Sequence, residues 1–457
     1  MKIWRVLVLT LALSLQVLAQ QENARTAPKA DDRLKADVLL IVAHPDDETG
    51  VSGYLAQLME QGKRVAAVYL THGEAGHNNM GRERGPSLGA SREMELRHAL
   101  TYLGIENVWF LGGRDTPSQD VLQSLANWHH GQALEDVVRM VRITRPTVIV
   151  TWLPGFFIGE NHGDHQAAGV VASEAFDLAG DPSAFPAQIA QPRHVNETLL
   201  EGLQPWQPQK LYFFSDASDD KQFRGKGPSY PVTGVSSKRH VVYWRLAMDG
   251  FRFHRTQYRS YIEKLDKMTD DQLAKLAGAD QDGWAAPMQF IFGKSIVSES
   301  VTGDIFEGVQ SAPAPYTPPA VAEPIEQTGL SLAIGGPWKF YDDFRRAHGL
   351  NQLPRAEVPE IGIAAGTMLQ IPLILRNQTD RVADVVMEAT LPEGWSQKEK
   401  DLTYHLSAGD VFPFQVEFVP AKKSDNVAEL TFIGTSAGQT IGTLKIRVRV
   451  GAGGLPQ

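Results

Sequence analysis

The chain has 457 residues, 42% hydrophobic and 21% charged, an ordinary globular composition with length for two or three domains that each bury a core. Its formal net charge of −9 and pI near 5.8 exclude a general nucleic-acid or anionic-membrane surface, which needs clustered Lys and Arg. There is no cysteine, so disulfides, thiolate metal sites and lipid attachment at Cys are excluded as well.

The first element is "MKIWRVLVLTLALSLQVLAQ": Lys2 and Arg5, an apolar stretch, then Val17 and Ala19 as small residues before a cut. Residues 1–19 are predicted to be a secretory signal peptide, because the apolar run is short for a span of about 20 residues and a polar stretch follows at once. The expectation is an exported protein, periplasmic or extracellular, with no stable membrane span after cleavage.

From Ala36 apolar strand runs alternate with helical stretches. "DVLLIVA" predicts a strand, "TGVSGYLAQLMEQGK" a helix with Leu55, Leu58 and Met59 at helical spacing, and "RVAAVYLT" a second strand. "ASREMELRHALTYLG" predicts a second helix ending at Gly104, "NVWFL" a third strand, "ALEDVVRMVRITRP" a helix stopped by Pro146, and "TVIVTWLP" a fourth strand. Strands apolar on both faces and separated by helices predict an α/β fold: a Rossmann-like, mostly parallel sheet with helices on both faces. Residues 36–310 are read as this domain, with 177–239 as Pro-rich insertions along one rim. "YWRLAMDGFRFHRTQYRSYIEKLDKM" predicts one long helix, and the aromatics of its first part, "YWRLAMDGFRF", are read as core. Residues 311–328 read as a Pro- and Ala-rich linker, extended and poorly packed, and 355–451 as an all-β, Ig-like sandwich of short alternating strands.

Chemistry concentrates at the predicted strand ends, where ligands of such sheets bind. "AHPDDE" follows strand one, Thr71 to Glu74 follow strand two, Asp115 strand three, and "NHGDH" (Asn161 to His165) strand four. Three acids in a row repel one another unless a cation sits beside them. A hydrolytic zinc site takes three His or carboxylate ligands and keeps one position open, and His44, Asp47 and His165 can supply the three. Asp46 then stands beside them as the base for the water. His162 is not placed by spacing alone; as a protonated imidazole facing a substrate carbonyl it would stabilise an oxyanion, with Asp164 holding the ring and raising its pKa. The ligand types suit several first-row metals, so Zn2+ is expected, with Fe2+ or another divalent ion left open.

These motifs resemble those of the PIG-L/LmbE family of zinc-dependent de-N-acetylases. "AHPDDE" stands at Ala43 to Glu48, "THGEAG" at Thr71 to Gly76 is similar to the family's TxGExG, "REMEL" at Arg92 to Leu96 to its RxxEL, and "HGDH" at His162 to His165 to its HPDH, with Gly163 in place of Pro. "HRTQ" at His254 to Gln257 is similar to a late family motif. The resemblance implies metal ligands His44, Asp47 and His165, Asp46 as base and then acid to the leaving amine, His162 as oxyanion partner, and Arg92 and Asp115 as sugar-hydroxyl contacts. It implies removal of an acetyl group from an N-acetylated amino sugar or glycan of the N-acetylglucosamine type, and leaves other amides and larger acyl chains open. The C-terminal strands resemble the NEW3 or CARDB-like sandwiches appended to secreted glycan enzymes.

Other signals carry less. "GPSLG" at Gly85 to Gly89 matches a nucleophile elbow, but polar residues precede it where a strand is required, so Ser87 is read as part of a mobile loop over the pocket. "FGKS" at Phe292 lacks the first Gly of a phosphate loop, no G-x-G-x-x-G follows strand one, and "WHH" at Trp128 to His130 reads as a surface turn. A glycan-binding protein without turnover is the reading of a different class. Asp46 speaks against it, because a binder needs no second acid beside the metal ligand.

Overall fold

A computed structural model describes residues 31–155, 162–190, 202–217, 220–279, 283–298, 300–311, 316–317, 328–364, 366–399, 402–421 and 427–451. The predicted signal peptide, Asn161 and most of the predicted linker lie outside them.

Five parallel strands carry the first domain: β1 (Val38–Val42), β2 (Val65–Tyr69), β3 (Asn107–Phe110), β4 (Val148–Trp152) and β5 (Lys210–Phe214), with β6 (Ile291–Ser295) antiparallel at one edge. The spatial order is β3-β2-β1-β4-β5-β6. Every residue of β1, β2, β4 and β5 is buried, as continuous Val/Ile/Leu/Ala/Phe runs require when helices cover both faces. The covering helices include α1 (Ser52–Glu60), α2 (Pro86–Leu103), α3 (Val121–Asn127), α4 (His130–Thr144) and α5 (Gly163–Leu178). Strand order reverses at β1, which pairs with β2 on one side and β4 on the other, and the crevice beyond the carboxyl ends of β1 and β4 is where such a sheet opens.

Three expectations change. The stretch 177–239 is not all insertion, since Lys210–Phe214 is a fully buried strand beside β4; its flanking prolines and Gln residues hid it. The predicted long helix is two, α6 (Tyr243–Phe251) and α7 (Arg255–Leu265), because the chain turns at His254 to bury that side chain completely. Ser87 sits exposed in the first turn of α2 rather than in a loop, since Pro86 takes the N1 position that suits its fixed φ and missing N–H. A further short helix, α8, spans Asp270–Ala277.

The C-terminal β-rich region starts earlier than its strand pattern suggested. β7 (Gly329–Ile334) pairs with β9 (Leu369–Gln378), which pairs with β12 (Val411–Val419). The facing sheet joins β8 (Glu360–Ala364), β14 (Gln439–Gly451), β13 (Val427–Ser436), β10 (Ala383–Thr390) and β11 (Thr403–Leu406). The alternation of apolar and polar residues is clean in β9, where Leu369, Ile371, Leu373 and Leu375 face inward. Between β7 and β8 lies α9 (Gly336–Ala347), whose Tyr341 and Phe344 belong to the core of the first domain, together with Leu350 and Leu353. Within the predicted linker, Tyr316 packs edge-on to Phe176 at 5.5 Å, so this part is not poorly packed. Among the described residues no helix is long and apolar enough to cross a membrane.

Candidate metal centre and active site

The turn after β1 places three acids by a backbone the side chains would not choose freely. Asp46 adopts φ 141°, a conformation that favours glycine and costs a non-glycine residue of order 1–3 kcal/mol. The distortion sends Asp46 and Asp47 in different directions. Asp47 turns back over the end of β1, where its Oδ2 accepts from the backbone N–H of Ala43 (2.8 Å) and of His44 (2.9 Å) and from Trp152 Nε1 (2.6 Å). Three donors on one oxygen leave Oδ1 presented to His165 Nε2 at 3.2 Å and His44 Nδ1 at 3.7 Å.

These three residues form one of two groups whose ligand atoms lie within 4.8 Å of one another among the described residues; the other is His44, His162 and Asp164. The first fits a cation better. The far nitrogen of His44, Nε2, lies at ion-pair distance from Asp115 Oδ1 (3.2 Å) and Asp164 Oδ2 (3.4 Å), where outer carboxylates flank a metal-bound histidine. His165 is held flat on Trp152, ring centroids 4.1 Å apart and 5° from parallel. Trp152 therefore braces two of the three candidate ligands, one by hydrogen bond and one by stacking. The motifs give no sign of this role, although Trp152 lies in the predicted fourth strand and ends the observed one.

The electrostatics follow from burial and neighbours. Burial opposes charge on Asp47, but His165 and His44 hold its carboxyl well below the usual range. Burial would push the His44 imidazole down, yet Asp115, Asp164 and Asp47 hold it well above its ordinary value. Burial first, and then the charge on Asp47, push Asp46 up to about 6. Its Oδ2 accepts a 2.8 Å hydrogen bond from Tyr258 Oη, a residue outside every sequence motif although it directly follows "HRTQ". The same segment brings His254, whose Nε2 lies 2.6 Å from Glu48 Oε1, while Tyr69 Oη donates to Glu48 Oε2 at 3.1 Å. Glu48 is thus a buried brace behind the turn and not a third acid facing the crevice.

His162 stands within 4.5 Å of His44 and 5.0 Å of His165, ring centre to ring centre. It is the N-cap of α5, and its Nδ1 accepts from the Asp164 backbone N–H at 3.2 Å. The expected protonated ring held by the Asp164 carboxylate is not what forms. Burial, then the charges on His44 and His165, push His162 well below its ordinary pKa, and with Nδ1 accepting a hydrogen bond the neutral ring carries its proton on Nε2. The Asp164 carboxylate turns instead to His44 and to the Thr116 backbone N–H at 2.9 Å.

Arg92 and Asp115 serve the loops around the crevice. Arg92 donates Nη1 to the Gly73 carbonyl at 2.7 Å and Nη2 to the His77 carbonyl at 3.0 Å. A Cβ on Gly73 or Gly76 would lie 2.6 or 2.5 Å from that guanidinium, which explains both glycines of "THGEAG". Asp115 Oδ2 accepts from Ala75 N–H at 2.7 Å, and Glu74 Oε1 returns the bond by accepting from Asp115 N–H at 2.9 Å. Both side chains are buried, and the contacts they make are to loop backbone and to His44. "WHH" is a turn between α3 and α4 with His129 exposed, as expected, but Trp128 is buried with Nε1 donating to the Arg114 carbonyl at 3.0 Å, and His130 lies 2.6 Å from Glu174 Oε2.

The His–Asp–His set, with Asp46 beside it, thus lies at the switch point of a Rossmann-like parallel sheet, where ligands of such sheets bind. Residues 39–176 match the family model PIG-L, GlcNAc-PI de-N-acetylase. The chain is 30% identical over 230 residues to a 1D-myo-inositol 2-acetamido-2-deoxy-alpha-D-glucopyranoside deacetylase of Thermobispora bispora, covering 45% of this chain and 74% of that one. It is 36% identical over 165 residues to the protein of that name in Geodermatophilus obscurus, covering 33% of this chain and 55% of the other. The chain belongs to the PIG-L family. It spans about half the length of the first curated relatives it matches, 55% for the Geodermatophilus protein. Among solved structures, an N,N'-diacetylchitobiose deacetylase from Pyrococcus horikoshii aligns with TM-score 0.39 at 21% identity, over 59% of this chain and 85% of that one.

Proposed function

We propose that this protein is an exported, metal-dependent amidohydrolase that removes the acetyl group from an N-acetylated amino sugar of the N-acetylglucosamine type. The observation that carries the proposal is the division of labour in one turn: Asp47 presents a single oxygen to His44 and His165, while its neighbour Asp46 stays outside that set with one oxygen held by Tyr258. The names of the matched relatives, deacetylases of a 2-acetamido-glucopyranoside, support the acetamido sugar. Export rests on the N-terminal sequence, and the C-terminal region is read as a sandwich of the NEW3 or CARDB-like kind on its two sheets of alternating strands.

In this reading His44 Nδ1, Asp47 Oδ1 and His165 Nε2 hold a zinc or similar divalent ion, which supplies Lewis acidity to water and to the acyl oxygen when bound. Asp46 accepts a proton from the attacking water as its oxygen bonds to the acetyl carbon. The Nε2–H of neutral His162 donates to the carbonyl oxygen as negative charge develops there. Asp46 then gives its proton to the nitrogen as the C–N bond breaks, so that acetate and a free amine leave. Tyr258 holds one Asp46 oxygen throughout and keeps the other aimed at the water. Arg92 and Asp115, which also fix the loops around the crevice, are the proposed contacts to the sugar hydroxyls.

The test is amine release from a panel of N-acetylated sugars by the mature protein, zinc-loaded, chelated, and as Asp46→Ala. Turnover that needs both metal and Asp46 is the expected result. Metal uptake with no amine from any sugar removes the substrate class, and absence of metal uptake removes the site.

A further inference from the structure

The C-terminal third touches the supports of the candidate metal centre at three separated points. The side-chain amide of Gln119 pairs both ways with the backbone of Gly362 on β8: Nε2 donates to its carbonyl at 2.8 Å and Oε1 accepts its N–H at 3.1 Å. Gln119 lies in the loop that carries Asp115, the acid on His44, and Thr116, whose N–H holds Asp164. In the same loop the Ser118 carbonyl accepts from Gly163 N–H at 2.7 Å, fastening it to the first turn of the helix that bears His162 and His165. Tyr341 of α9 hydrogen-bonds Gln166, the wholly buried neighbour of His165. At the far end of that helix, His348 Nδ1 lies 2.7 Å from Asp177 Oδ2, and Lys294 holds the other oxygen of Asp177 at 2.5 Å. Helix α5 is therefore gripped at both ends by residues 341–348, and the acidic loop opposite it is gripped by β8. A sandwich on a free tether would leave these polar groups to water; here their partners are built and, at Gln166 and Asp177, buried.

We infer that the segment 336–364 is part of the metal centre's outer support, so that its docking on the first domain and metal binding at His44, Asp47 and His165 are coupled. Gln119 and Tyr341 are positioning residues: neither touches a ligand atom, and each fixes the backbone of an element that presents one. The coupling must be reciprocal, because a cation that favours the docked arrangement is itself favoured by it. Outer partners of metal ligands commonly carry a factor of about 10–100 in affinity, which sets the size expected. The inference rests on the reading of those three residues as metal ligands.

The experiment uses the full mature chain and zinc alone, so that it does not depend on turnover. Zinc affinity by chelator competition is compared among wild type, Gln119→Ala with Tyr341→Phe, and Glu429→Gln on an exposed sandwich pair as control. The expected result is about tenfold weaker zinc in the double variant and unchanged zinc affinity in the control, with the first domain of the double variant still unfolding cooperatively in urea. In parallel, hydrogen exchange of the wild type is followed at 336–347 and 360–364 with and without zinc, a readout that survives even if the double variant folds poorly. Zinc should slow exchange there by about the same tenfold factor. Wild type that binds zinc with exchange unchanged at both segments overturns the coupling while leaving the site intact. Wild type that takes up no zinc overturns the site, and the coupling with it.

Discussion

The carboxyl edge of the parallel sheet and the C-terminal sandwich treat charge in opposite ways. At the edge, His44, Asp47, Glu48, Arg92, Asp115, Asp164 and His254 are all buried within a few residues of one another in space. In the sandwich the pairs Lys445 with Glu429 and His405 with Asp384 lie outside, Glu360 with Arg449 is a half-buried exception, and the interior is mainly Leu, Ile, Val and Phe. Burying charge costs several kcal/mol per ion unless each is paired and hydrogen-bonded. A chain that concentrates that cost at one sheet edge, and adds a strained φ at Asp46, has been shaped there by chemistry and not by stability. The sandwich shows what the same chain does where packing alone decides.

The contrast breaks most sharply by substituting one atom at Asp46. Asp46→Asn keeps the shape and the Tyr258 contact but cannot take a proton, and its kcat is expected to fall by about 10²–10⁴-fold. Zinc content should persist, and the urea midpoint should hold or rise, since the repulsion between Asp46 and Asp47 is gone. Activity within tenfold of wild type would remove Asp46 as the base. The counterpart in the sandwich is Phe432→Ala. Phe432 is wholly buried and meets Phe418 edge-on at 5.6 Å. Its loss is expected to cost about 3–5 kcal/mol of the sandwich's stability. At temperatures where the variant is still folded, zinc affinity should match wild type; a tenfold loss there would erase the contrast between the two regions.

Trp152→Phe sharpens the contrast at smaller amplitude. The phenyl ring can keep a stack on His165 but loses the Nε1–H that shares Asp47 Oδ2 with two backbone donors. Zinc affinity by chelator competition should weaken by about tenfold, the low end for an outer partner of a ligand, because two of the three donors remain. An affinity unchanged within twofold would mean that Ala43 and His44 N–H suffice to fix the carboxylate.

Much of the first region could be read in the sequence because its strands are buried on both faces and announce themselves as unbroken apolar runs. The switch point then brings the motifs after β1 and β4 together without any three-dimensional information. What stayed hidden came from distant partners. Trp152 lies inside a predicted strand and Tyr258 inside a predicted helix, and only the fold shows that their polar atoms reach Asp47 and Asp46. The break at His254 was unreadable because helix periodicity runs through it, while the buried partner that forces the turn, Glu48, lies 206 residues away. The fifth strand was masked by polar and Pro-rich flanks. The expected His162–Asp164 pair failed because a residue at the start of a helix turns its neighbour's backbone N–H, not its carboxylate, toward the cap.

The smallest test concerns the one histidine of "WHH" that gains an acid, His130 on α4 facing Glu174 on α5. The hydrogen bond to Glu174 raises its pKa above the ordinary value, against the opposing effect of burial. A raised folded value means that the folded state binds the proton more tightly than the unfolded chain does. The contribution is therefore complete below about pH 6.5, the unfolded value, and is lost as pH climbs through the higher folded one. With 38% of the His130 side chain exposed, solvent screens the pair, and its contribution should be at most about 0.5–1 kcal/mol. Urea midpoints of wild type and Glu174→Gln should differ at pH 5.5 and converge by pH 9, and 1 M salt should shrink the gap at the lower pH. A gap of equal size at both pH values would show that Glu174 contributes through packing between α4 and α5 instead of through charge.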